Sequence, residues 1–204
     1  MTETIIVNTP EDISDITLNQ YIRFNSLMSK KDSMTEEEFI KRTVSLMTGL
    51  SVKSLSDVTY SDFERLALEV TIALGTESPF VNRFVLDGIE YGFIPNLDNM
   101  STAEYVDLKT YGMSEENLHK VMAIMFRPVT VSHSFDKYEI EKYSGTGDRA
   151  EVMRQAPMNV VNGMVGFFYL LANELKNYIQ ASIKKEELRS NHLHSLRSGV
   201  GTQQ

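Results

Sequence analysis

The sequence predicts an α+β fold, mainly α: a helical domain with a small antiparallel β-hairpin element and an extended C-terminal arm. The first reason is the recurrence of Ser or Thr followed three residues later by Glu or Gln at Thr17–Gln20, Thr35–Glu38, Ser61–Glu64 and Ser101–Glu104. Each pair precedes a run with helical apolar spacing, the signature of a capping box. The second is Asp87-Gly88 set between two runs rich in β-branched and aromatic residues. A two-residue type I′ turn needs positive φ at both central positions, and Gly supplies one without strain. The third is the fading of the apolar period from Ser190 into NHLHSLRSGVGTQQ, which has no core-forming run.

Taken in order, Thr4–Asn8 (TIIVN) is a β-branched run suited to a sheet edge and is ended by Thr9-Pro10. Thr17 opens a helix over Leu18–Ser29, and Thr35 opens another over Glu36–Thr48 that Gly49 stops. Leu50–Tyr60 reads as one helical turn and a loop. Ser61 caps a helix over Asp62–Leu74, which Gly75 ends. Arg83–Leu86 and Ile89–Phe93 are the hairpin strands, giving a β element at about residues 84–94, and Ser101 opens a helix through about Thr110. Ser114 caps a helix over Glu115–Phe126, ended at Arg127-Pro128 because proline disfavours helical geometry in the residue before it. Val129–Gly145 alternates as a second strand pair, near residues 129–143, anchored by Tyr138, Ile140 and Tyr143. A short helix over Asp148–Gln155 follows, and Pro157 suits the first turn of a last long helix reaching about Ile183 or beyond. The expected organisation is one mainly helical domain over residues 1–183 and a flexible or partner-ordered arm over 184–204.

At 204 residues the chain is long enough to bury a sizeable core. It has no cysteine, which removes disulfides, thiolate zinc sites and cysteine nucleophiles. The net charge is −8. From Lys184 onward four basic residues face two acidic ones, a net +2 that leaves −10 on the first 183 residues. An acidic body argues against non-specific nucleic-acid binding. Met158–Ala172 is apolar but, interrupted by Asn159 and Asn162, falls short of the roughly 20 residues a bilayer requires. It reads as a buried core helix, and the N-terminus lacks the pattern of a signal peptide.

The candidate chemistry has plainer explanations. His192 and His194 form an H-x-H pair in the tail, where no rigid scaffold holds the further ligands a metal needs. His119 and His133 read as interface or surface histidines. Glu36, Glu37 and Glu38, and likewise Glu115 and Glu116, fall in first helical turns, where the dipole favours negative charge. Glu139 and Glu141 share one side of a strand, as a general acid and base do, but Lys137 and Lys142 make a solvated charge face the better reading. Gly145-Thr146-Gly147 lacks the lysine and spacing of a phosphate loop and reads as a turn. No catalytic, cofactor-binding or metal site is expected, and the chain reads as a non-enzyme. Met122, Met125, Phe167 and Phe168 are expected in the core. Met113, Met153, Met158 and Met164 lie near breaks where a neighbour can dock.

The stretches FVLDGIEYGFIPNLDNMSTAEYVDL (Phe84–Leu108), NLHKVMAIMFRPV (Asn117–Val129), YEIEKYSG (Tyr138–Gly145) and MNVVNGMVGFFYLLANEL (Met158–Leu175) together resemble a family of small structural proteins of tailed bacteriophages, crAss-like and related short-tailed phages among them. The resemblance spans residues of about 17 to 180. It implies a virion structural protein, a subunit of the head-to-tail connector, or neck, in contact with the portal or adjacent ring and tail proteins. The alternative is a tail assembly chaperone absent from the mature virion. A homo-oligomeric ring of about twelve copies is the expected assembly if it follows portal symmetry. The chain is expected to be made in the host bacterial cytoplasm, with no membrane and no cofactor, and DNA is expected to pass the channel without specific binding. The expected interface residues are Asp87, Gly88, Tyr91, Tyr105, Tyr138 and Tyr143 from the strands and the Ser101 helix, and Lys184, Lys185, Arg189 and Arg197 from the arm.

Overall fold

Side-chain caps start the first five helices. The computed structural model describes residues 7–198 along the backbone, and side chains through residue 186. Helix α1 (Leu18–Met28) begins at Thr17, whose hydroxyl accepts from the Gln20 N–H while Gln20 returns a bond to the Thr17 N–H. Thr35 accepts from Glu38 to start α2 (Glu36–Thr48), which ends at Gly49 in the left-handed region. Ser51 starts the short α3 (Val52–Asp57). Helix α4 (Tyr60–Leu74) begins at Thr59, not at Ser61 as expected, because the Thr59 hydroxyl reaches the Asp62 N–H. Helix α2 packs on α1, α3 and α4. Their apolar stripes meet in a cluster of Val44, Leu55 and Leu66, with Ile40, Leu50 and Phe63 packed around it. Fully burying such a side chain stabilises the fold by about 1.5–3 kcal/mol.

The hairpin forms over the expected residues, β1 (Arg83–Leu86) and β2 (Ile89–Phe93). Asp87 and Gly88 have φ of 50° and 78°, the paired positive values of a type I′ turn. The expected second strand pair is β3 (Phe126–Ser132) and β4 (Tyr138–Ile140). The two pairs are not separate: all four strands form one antiparallel sheet in the order β1-β2-β3-β4. Phe93 pairs with Phe126 and Tyr91 with Pro128, which places proline in an inner strand beside an irregularity between Val129 and Val131. Phe84, Phe93 and Phe126 interlock edge-to-face or stacked with Tyr91 and Phe80, at centroid distances of 5.1–5.5 Å.

Ser101 and Glu104 form the expected capping box of α5 (Thr102–Tyr111). The helix expected over Glu115–Phe126 is instead a 3-10 turn at Glu115–Asn117 followed by α6 (Leu118–Met125). Ser114 makes no cap bond. Phe126 leaves the helix because its backbone pairs with Phe93 in the sheet. Helix α6 is the centre of the core, with Val121, Met122, Ile124 and Met125 fully buried. Helix α7 (Gly147–Val152) packs on α6. The Leu18 N–H donates to the Ala156 carbonyl and the Met158 N–H to that of Ile16, tying the start of α1 to the start of α8 (Met158–Ser198).

The chain divides into two compact units, residues 1–164 and 165–204, with the boundary inside α8. The boundary expected from the sequence lies later in the same helix, at 183 and 184. Residues expected as an extended arm are helical through Ser198, since Lys184–Ser198 holds no Gly or Pro and is rich in Leu, Lys, Glu and Arg. Met158, Val161 and Met164 are buried as the core-helix reading required, whereas Tyr169, Leu170 and Leu171 are exposed. Among the described residues no helix is long and apolar enough to cross a membrane. The strand expected over Thr4–Asn8 lies outside the described residues except for Val7 and Asn8, which carry no regular structure.

Candidate functional site

The expected interface residues of the sheet separate into exposed and packed sets. Asp87 and Gly88 form the exposed tip of the first hairpin. Tyr91 is only 4% exposed and stacks on Phe84, so it belongs to the core and offers no contact surface. Tyr138 is half-buried: its hydroxyl donates to the Phe93 carbonyl at 2.7 Å, and its ring covers Gly92, where an added Cβ would lie 2.4 Å from the ring. Tyr143 is also half-buried and donates to Asp107 at 2.5 Å. Burial, and then Asp107, raise its phenol above the ordinary range. Tyr105 stands exposed on α5. Lys184 and Lys185 are exposed on α8, and the side chains of Arg189, Arg197, His192 and His194 lie outside the described residues.

A cleft of about 480 Å³ with mixed apolar and polar walls lies between α5 and the sheet, lined by Ile94, Ile140, Glu104, Arg127, Lys142 and Tyr143 among others. Its inner wall is the Glu104–Arg127 ion pair, whose second carboxylate oxygen accepts from the Ser101 N–H at 2.5 Å. Burial pushes the Glu104 carboxyl up, but the Ser101 bonds and the Arg127 charge outweigh it and hold the group below its ordinary value. This pair had no signal in the sequence: Glu104 is legible as a capping residue, and nothing near Arg127 marks its partner.

His119, expected at a surface or interface, is 3% exposed on α6. Arg154 Nη2 lies 3.1 Å from its Nε2, which accepts only when the imidazole is neutral. Burial, then Arg154, lower its basicity against the opposing pull of Glu151. Glu139 faces His133 at 3.2 Å and Glu141 faces Arg149 at 2.8 Å, so the paired carboxylates of β4 and the residue after it are engaged in outward ion pairs. Among the described residues no group of three His, Asp or Glu is placed to hold a metal ion. Met153, Met158 and Met164 are fully buried and Met113 alone of that set is exposed, which removes three of the four methionines expected near docking surfaces.

Two features escaped sequence reasoning. The first is Phe135, 95% exposed at the tip of the β3–β4 connection. The only available signal was a large apolar residue inside the polar run SHSFDK. The second is an apolar groove of about 370 Å³ between α1, α2 and α4, bounded by Phe24, Phe39, Val44, Val70, Thr71 and Leu74. Helical spacing places apolar residues on one face of a helix, and only the tertiary placement of three helices leaves a gap among them. In the second unit Leu171, Leu175, Tyr178 and Ile179 recur at helical spacing and are exposed. Phe167 and Phe168, expected in the core, are half-buried, with their rings edge-to-face at 5.4 Å.

No protein-family model, no curated protein and no solved structure matches the chain.

Proposed function

We propose that this chain is a virion structural protein of a tailed bacteriophage, a subunit of a homo-oligomeric neck ring that contacts the portal or an adjacent ring protein. The observation that carries the assembly reading is the apolar surface of α8, where Leu171, Leu175, Tyr178 and Ile179 stand exposed on one stretch of helix. Contiguous exposed apolar surface of this kind marks a protein-protein contact. The second unit also has the opposite charge to the first: residues 165–204 hold five basic and three acidic residues, so the net −8 divides into +2 and −10. Lys184 and Lys185, exposed on α8, supply positive charge for an acidic neighbour, Arg189 and Arg197 follow them in the sequence, and a net-negative ring wall lets DNA pass without adhering. The phage setting is supported by the resemblance carried by Phe84–Leu108, Asn117–Val129, Tyr138–Gly145 and Met158–Leu175. Quantitative mass spectrometry of purified virions tests the reading. A neck subunit is present at about a dozen copies per particle; a tail assembly chaperone is missing from it.

A further inference from the structure

We infer that Ile5, from this chain's own N-terminal segment, fills the apolar groove between α1, α2 and α4, which makes the groove a seat for that segment and not a free site for a ligand or partner. The inference stands apart from the assembly reading. Two observations give the direction in which the segment enters. Asn8, Thr9 and Pro10 lie beside Met47, Thr48 and Gly49 at the end of α2, where they line one cavity. Val7 packs on the cluster of Val44, Leu55 and Leu66, about one helical turn nearer the start of α2. Followed backwards from Pro10, the chain therefore runs along α2 from its end toward its start. Ile40, Val44 and Ala67 belong to the packing around Val7 and also line the groove, so the groove opens beside Val7.

Burial along the chain gives the side chain that enters. Val7 and Thr9 are half-buried and Asn8 between them is exposed, the alternation of an extended backbone, in which residues two apart share a side. One step further back, Ile5 takes the side of Val7 and Ile6 the side of Asn8. Two residues of extended chain advance about 6.6 Å and four residues of helix about 6 Å. The step from Val7 to Ile5 thus matches the step from Val44 to Ile40, and it brings Ile5 over the groove. The groove suits an aliphatic side chain. Val44 and Val70 in its lining are each 1% exposed. The Thr43 hydroxyl donates to the Phe39 carbonyl and the Thr71 hydroxyl to the Ala67 carbonyl, so neither hydroxyl asks for a polar occupant. Lys31 lies over the Phe39 ring at 5.2 Å, at the end of the groove formed by the start of α2. An isoleucine in the space of about 370 Å³ takes apolar surface of its own and of the groove out of water.

The test uses the full chain, which has no cysteine, so an introduced pair reports without background. Under mild oxidation, Ile5→Cys combined with Thr71→Cys, at an exposed position of the groove, is expected to form a disulfide within one chain. Ile6→Cys combined with Thr71→Cys is expected to form none. Thermal unfolding gives an independent readout. Ile5→Ser is expected to lower the unfolding temperature by about 4 °C or more, and Ile6→Ser to leave it within about 2 °C. Absence of the disulfide between positions 5 and 71 overturns the inference, as does its formation from position 6 just as readily. An unfolding temperature unchanged by Ile5→Ser, or lowered equally by Ile6→Ser, overturns it too. A disulfide that joins two copies also overturns it, because the groove then receives a neighbour's segment. Each of these results leaves the neck-ring reading standing.

Discussion

Arg127 and Glu104 form an ion pair at 2.5 Å in which the side chains are 7% and 5% exposed. The pair joins β3 to the first turn of α5, so the sheet and the helix after the hairpin are locked through two charges that water barely reaches. Removing one partner strands the other. Arg127→Met and Glu104→Leu are each expected to destabilise the chain by about 3–5 kcal/mol, and the double variant by less than the sum. Urea denaturation of the four proteins checks this. Single variants within about 1 kcal/mol of the wild type would show that the pair is dispensable.

Two buried groups set the acid side of the stability profile. His119 is held neutral, so its native value lies below the ordinary 6.5. As pH falls below 6.5 the unfolded chain takes up a proton that the native chain refuses, and stability declines until the lowered native value is reached. Glu104 has its native value below 4.5, and its contribution is present above 4.5 and lost as pH falls through the native value. Chemical denaturation at a series of pH values is expected to show both declines. His119→Gln is expected to remove the first and leave the second.

Gly92 sits under the Tyr138 ring, where a Cβ would meet Cε2 at 2.4 Å. Gly92→Ala is expected to destabilise the sheet by about 1–3 kcal/mol through overpacking. Tyr138→Phe keeps the ring but loses the bonds to the Phe93 and Asn82 carbonyls, and is expected to lose about 1–3 kcal/mol. Thermal unfolding reads both. If Gly92→Ala is as stable as the wild type, the ring does not close over the strand.

Gly88 has φ of 78° in the first hairpin turn. Gly88→Val is expected to destabilise the chain by about 1–2 kcal/mol because a β-branched residue must enter the left-handed region. An unchanged unfolding temperature would contradict the turn geometry.

Leu171 and Leu175 are exposed on α8, so the double variant Leu171→Gln, Leu175→Gln is expected to change stability by no more than about 0.5 kcal/mol. Its incorporation into particles is expected to fall sharply when it replaces the wild-type gene product. Normal incorporation would show that this stretch makes no contact in the assembly.

The fold was legible where a local rule decides the backbone. Thr17, Thr35 and Ser101 announce helix starts through their own side chains, and Asp87-Gly88 permits little besides a tight hairpin. It was less legible where tertiary partners compete. Phe126 continues the helical period of α6, yet its pairing with Phe93 draws it into β3. Periodicity reads the face of a helix but not the depth at which it is buried. The sequence therefore predicts an interface or surface position for His119 and docking positions for three methionines, all four of which are buried. The groove and the exposed Phe135 depend on the placement of whole elements, which no spacing along the chain records.

The proposed place of this chain in a neck ring is open to cryo-electron microscopy of the portal vertex. The expected result is a closed ring next to the portal into which this fold fits. A fully traced vertex in which every ring is some other protein would contradict it.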